Sequence, residues 1–143
     1  MILPFHVSCN QPAVRLYELN DGRFQLTQQG QIAPFMDGYR YLLVEESLAK
    51  FLQALDVEGI RIEPAVIYNR ESGEEIRSHS RIHVSHYFTP VDIRDLRLSG
   101  MKMLTMLDEH YFVSPELMAA LKDSPFECLV FTEGLADFAG HAA

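Results

Sequence analysis

A pattern of apolar run, short amphipathic stretch, turn and second apolar run occurs twice in the chain, and the two copies align without a gap. The first copy runs from Tyr41 to Ile62 and the second from Tyr111 to Phe131. At one constant offset Leu43 falls on Phe112, Val44 on Val113, Leu48 on Leu117, Leu52 on Leu121, Val57 on Phe126 and Ile60 on Leu129. In the first copy Leu48, Phe51, Leu52 and Leu55 recur at the i, i+3, i+4, i+7 spacing of one helical face. Glu45 and Glu46 stand in its first turn, where the helix dipole favours acids, and Glu46 can reach Lys50 one turn on. In the second copy Ser114 is a good N-cap, with Pro115 at the first helical position and Glu116 behind it. Helices of about ten residues do not stand alone in water, so each leucine stripe has to lie on a sheet. The expectation is an α+β fold: a largely antiparallel sheet with two short helices, in two similar strand–helix–strand units.

The rest of the chain reads as β-structure and turns. Val14–Leu19 and Arg23–Thr27 flank Asn20-Asp21-Gly22, and Asp-Gly accepts the positive φ angles of a tight hairpin turn. Pro4 and Pro12 predict that the segment before this hairpin is an edge strand or a loop. Gly59 turns the chain into a long strand from Ile60 to about Tyr68, and Asn69–Gly73 reverses it into a second long strand, Ile76 to Phe88. Residues 91–100 read as a polar loop, and Met101–Leu107 as a strand. One domain, 1–143, is expected. It consists of an N-terminal β-hairpin region (1–39), a core (40–133) and a flexible tail (134–143).

Composition excludes several function classes. Of the residues, 48% are apolar and 22% charged, so a folded globule is expected rather than disorder. No apolar run approaches the roughly 20 residues that cross a bilayer, and Met1–Phe5 lacks the basic and apolar regions of a secretory signal. A cytoplasmic protein is the expectation, with Cys9 and Cys128 as reduced thiols and Cys128 as a small buried hydrophobe. The net charge is −8, and from Met101 onward the acids Asp108, Glu109, Glu116, Asp123, Glu127, Glu133 and Asp137 face only Lys102 and Lys122. That field disfavours nucleic acid and anionic membranes as partners and permits a basic protein.

The histidines invite a metal site, but strand geometry opposes one. Ile82, Val84, His86 and Phe88 alternate with Arg77, His79, Arg81, His83 and Ser85. His79 and His83 then share a face roughly 13 Å apart, and His86 points the other way. Neither a metal nor a cofactor is expected. The alternation does line up Arg77, His79, Arg81 and His83 as a basic stripe. It is either a solvated face neutralised by Glu63, Glu71, Glu74 or Glu75, or a contact for an anion or acidic partner. Cys9 with His6 lacks an orienting acid and an oxyanion turn, so no nucleophile–base pair is assigned. Asp108-Glu109-His110 reads as a turn between apolar runs. A phosphate loop and a dinucleotide fingerprint are both missing from the sequence.

Three stretches, in order, resemble a family of bacterial immunity proteins that guard against polymorphic toxins. Leu42–Leu48 running to Val57-Glu-Gly-Ile-Arg-Ile-Glu-Pro64 is similar to the family's strand, short helix, Gly and strand ending near Pro. Ile82–His86 followed by Val91–Ser99 is similar to its strand and Asp-x-x-x-Ser segment. Tyr111–Leu121 is similar to its C-terminal strand, Ser and helix. The resemblance covers about residues 40–133 and implies a non-catalytic protein that binds and neutralises a cognate toxin domain. No catalytic residue is carried over. The expected contacts are the stripe Arg77, His79, Arg81, His83 and the acids Asp108, Glu109, Glu116 and Asp123. Two other readings are a small ligand-binding protein or enzyme using the strand 77–86, and a structural or regulatory dimer module. The protein itself is expected to be a monomer or a homodimer.

Overall fold

The computed structural model describes residues 1–28 and 30–141, with backbone only at 139–141. In chain order the strands and helices are β1 (Phe5–Cys9), β2 (Leu16–Glu18), β3 (Phe24–Leu26), β4 (Phe35–Gly38), β5 (Tyr41–Glu45), α1 (Glu46–Ala54), β6 (Ile60–Pro64), β7 (Ile67–Tyr68), β8 (Glu75–Ile76), β9 (His79–Val84), β10 (Met103–Met106), β11 (His110–Val113), α2 (Pro115–Lys122) and β12 (Leu129–Glu133). They form an α+β fold dominated by antiparallel pairing. Two four-stranded sheets, ordered β4-β5-β9-β6 and β10-β11-β1-β12, carry the helices, and a smaller sheet is ordered β2-β3-β7-β8. No helix among the described residues is long and apolar enough to cross a membrane.

The two large sheets repeat each other strand for strand. Val44 pairs with Phe35 and Ser80, and the equivalent Val113 pairs with Met103 and Phe5. Ile60 to Pro64 pair with Val84 to Ser80, and Leu129 to Glu133 pair with Cys9 to Phe5. All three ladders therefore share one register. The residues leading into the helices, Glu45 (φ −62°, ψ 154°) and Ser114 (φ −64°, ψ 157°), have matching backbones. The difference is one of connection: the third strand of one sheet, β9, follows β6 in the chain, whereas its counterpart β1 comes from the N-terminus.

Both sheets and both helices share one central core. Leu48, Ala49 and Leu52 of α1 and Leu117 and Leu121 of α2 are buried in it, against Val7, Leu42, Val44, Ile82, Val84, Tyr111 and Val113. The rings of Phe51 and Phe126 meet edge-on at 5.5 Å between centroids. Each sheet's other face has its own cover. Over Met36, Tyr41 and Leu43 lies the small sheet with Val14, Leu16, Phe24 and Ile67. Over Leu104, Met106 and Phe112 lie Phe88, Ile93 and Leu98 with Leu135 and Phe138. The continuation of β9 joins the sheets, because Thr105 N donates to His86 O (2.8 Å) and Phe88 N donates to Thr105 O (3.1 Å). Lys102, 6% exposed, closes the same seam by donating to Arg97 O (2.7 Å) and pairing with Glu58 at 3.2 Å.

The Asp21-Gly22 hairpin, the Asn69–Gly73 reversal and the strand before α2 stand where the sequence places them. Four expectations are corrected. β1 is an interior strand between β11 and β12, because Pro4 and Pro12 flank it and neither removes a donor from its ladders. Residues 1–39 are no separate region, since they supply strands to all three sheets. The long strand from Ile60 breaks after Pro64 and passes from one sheet to another, and its partner breaks at Arg77-Ser78. The segment from residue 134, expected as a flexible tail, is docked: Gly134 N donates to Pro4 O at 2.8 Å, and Phe138 stacks near Phe112. Ala142 and Ala143 lie outside the described residues.

Candidate functional site: the paired hairpin tips

The repeat brings two equivalent hairpin tips to one end of the molecule. The β4–β5 tip is Tyr39-Arg40 and the β10–β11 tip is Leu107–Glu109. Loops this short need left-handed backbone, and non-glycine residues supply it: Arg40 at φ 63°, Leu107 at 64° and Asp108 at 54°. Leu107 is 73% exposed, so a branched apolar residue is both strained and turned to solvent. Gly38 is required for a different reason. Tyr41 folds across it so closely that a Cβ there would collide with the ring.

Between the tips lies a cleft of ≈ 550 Å³, lined among others by Arg15, Asp37, Tyr39, Tyr41, Glu109 and His110. Tyr41 and His110 occupy the same position in the two copies, so the cleft sits where the repeats meet. The Asp37 carboxyl is held above the usual range, first by burial, against the pull of its own backbone amide and of His6 and His110. Burial also raises the Tyr41 phenol, whose oxygen accepts from Leu16 N at 3.4 Å. Neither Asp37 nor Glu109 forms an ion pair among the described residues. Behind the cleft His6 Nδ1 lies 2.5 Å from Asp137 Oδ2, and the His6 ring packs 6.0 Å from His110 and 5.1 Å from Phe138. Half-buried carboxylates beside tyrosine rings form a setting for a guanidinium or ammonium group. A second groove, of ≈ 470 Å³ beside Gln25, Asn69 and Arg70, gathers no comparable set of groups.

The basic stripe is neutralised from within. Arg77 pairs with Glu75 at 2.9 Å, Arg81 with Glu18 at 2.8 Å and His83 with Glu63 at 2.7 Å. Arg81 also donates to Arg40 O (2.9 Å), which ties the stripe to the back of the β4–β5 tip. His79 is buried and donates to Ala33 O at 2.8 Å. Each of these four side chains therefore has a partner inside the chain, while Arg77 stays 67% exposed. No three His, Cys, Asp or Glu side chains among the described residues are placed to hold a metal ion.

The four acids divide. Asp108 and Glu109 stand at the β10–β11 tip, and Asp108 accepts from the Tyr87 hydroxyl at 3.2 Å. Glu116 begins α2 beyond the far end of β11, and Asp123 is that helix's C-cap. Seven positions separate those two, about 10 Å along the helix axis, so the four form no single patch. Asp37, Tyr39 and Tyr41 escape the sequence reading because each belongs to an ordinary strand or turn. The signal that would find them is the repeat, which places Tyr41 on His110 at the same offset that aligns the helices. Comparison of the chain with protein-family models, with curated proteins and with solved structures returned no match in any of the three.

Proposed function

We propose that this chain is a non-catalytic, immunity-like cytoplasmic protein that neutralises a basic toxin domain by binding it through the paired hairpin tips. The observation that carries the reading is the company kept by Asp37, Asp108 and Glu109. Tyr39 (69% exposed) lines the cleft with Asp37 and Glu109, and Tyr87 (62%) donates to Asp108 next to Leu107 (73%). Exposed tyrosines beside unpaired acids are the composition of a protein-binding hot spot for a basic surface. The strained Leu107 fits the same role, since an apolar side chain held outward at positive φ costs stability and contributes nothing to the core. The ordered resemblance to immunity proteins supplies the class of partner, and the net charge of −8 favours a basic one.

Co-expression with the product of the adjacent gene in a sensitive host tests the reading. Protection by the wild-type chain, with a stable complex in vitro, is the expected result. Tyr39→Ala with Glu109→Lys should weaken that complex by at least about tenfold while the variant still unfolds cooperatively. Association should slow with added salt, because charge steers the encounter. A toxin-free gene neighbourhood together with turnover of a small molecule by the purified protein would sink the proposal.

A further inference from the structure

The chain's two cysteines lie near opposite ends of the sequence, and the fold brings them together. β1 ends at Cys9, which pairs with Leu129, and the next amide, Asn10 N, donates to Cys128 O at 2.8 Å. Cys9 and Cys128 are therefore diagonal neighbours across one ladder. With strands about 4.8 Å apart and a rise of about 3.3 Å per residue, their Cα atoms stand about 6 Å apart, inside the range a disulfide spans. Pleating alone would send the two side chains to opposite faces. Cys128, however, belongs to the turn before β12, where Glu127 N bonds Pro125 O and Leu129 N bonds Phe126 O, so strand alternation does not bind it. Cys9 is near enough to be one of the groups that raise the Cys128 thiol.

We propose that Cys9 and Cys128 form a reversible oxidation site, closing to an intramolecular disulfide that staples the N-terminal strand to the C-terminal one. With hydrogen peroxide as the oxidant, the Cys9 thiolate attacks the O–O bond to give the sulfenic acid, and the departing hydroxide takes up a proton to leave as water. The Cys128 sulfur then displaces the sulfenic hydroxyl, and with the Cys128 proton that hydroxyl leaves as a second water. Cys9 takes the first step because it is half-buried and reachable. Cys128 is 8% exposed, and burial, followed by the neighbouring Cys9 thiol, pushes its own thiol up to about 12. A dithiol reductant reverses the bond. The cross-link acts where the fold most needs it, since β1 is the one strand of its sheet supplied from the other end of the chain. The inference stands apart from the binding role of the hairpin tips.

The test uses the full-length chain with graded hydrogen peroxide. The expected product is a monomer about 2 Da lighter, with one peptide joining Cys9 to Cys128, formed at a rate independent of protein concentration. Its Tm should lie on the order of 10 °C above that of the reduced protein, because the bond closes a loop spanning most of the chain. Dithiothreitol should restore both mass and Tm. Cys9→Ser should take up no cross-link. Wild-type protein that, while still folded, gives only sulfinic acid or intermolecular dimers would overturn the proposal, and that result needs no variant to fold.

Discussion

His79 lies under the small sheet with both ring nitrogens engaged. Nε2 faces Ala33 O at 2.8 Å, and a carbonyl only accepts, so Nε2 carries the proton and Nδ1 is left to accept from the Ser78 hydroxyl at 2.9 Å. Burial lowers the pKa of this histidine, with the Ala33 carbonyl and the Glu45 charge pulling the other way. The sign follows from linkage. Between the lowered folded value and the ordinary value of about 6.5, the unfolded chain binds more protons than the folded one, so stability falls as pH drops through that window. Urea midpoints measured from pH 8 to 5 should decline below about pH 6.5. His79→Gln, whose amide can keep the bond to Ala33, should flatten that decline, and an unchanged slope would remove His79 as the cause. The sequence shows the stripe Arg77, His79, Arg81, His83 because alternation on a strand is local. It does not show that Arg81 meets Glu18, or that His79 is covered, because those partners arrive from other parts of the chain.

At the level of elements, the leucine stripes were legible because helical spacing and burial are the same fact seen twice. Leu52 and Leu121 occupy equivalent positions and are each 2% exposed. Truncation to alanine at either should cost about 2–5 kcal/mol in denaturant unfolding, and near-zero loss at both would mean that the helical faces are misassigned. The two helix starts differ more than the helices do. Ser114 is fully buried, and its hydroxyl donates to Gly100 O (2.7 Å) and accepts from Lys102 N (3.0 Å) and Leu117 N (3.4 Å). Glu45, its counterpart, makes no side-chain cap. Ser114→Ala should therefore destabilise by about 1–3 kcal/mol, since it strands buried backbone groups at the seam between the sheets, whereas Glu45→Ala should cost far less. Equal losses in a melt of the two variants would show that the cap bonds carry little. The breaks after Pro64 and at Arg77-Ser78 were not legible from alternation, which continues across a passage from one sheet to the next.

The whole molecule is a repeat whose second copy is completed by the first strand of the chain. β1 stands to β12 as β9 stands to β6, with the same residues opposite one another, yet no covalent link joins Glu133 to Phe5. The repeat of strand–helix–strand units was visible in sequence because it is contiguous there. The fourth strand was hidden, because nothing in a linear reading says that residues 5–9 belong beside residues 129–133. The first strand and the segment after β12 are close: Glu133 pairs with Phe5, Gly134 N is bonded to Pro4 O, and Asp137 reaches His6. Asp137 is bonded to His6, so a short Gly/Ser linker placed after Phe138 returns the chain to Met1. New ends opened at Gln11, an exposed residue after β1, break no ladder. That circular permutant would place β1 after β12, the order its counterpart β9 already has after β6. It should unfold cooperatively with a urea midpoint close to that of the parent, whereas deletion of residues 1–9 should abolish the cooperative transition by removing an interior strand. A permutant that fails to fold while the deletion still unfolds cooperatively would show that β1 is an accessory strand and not the missing piece of the repeat.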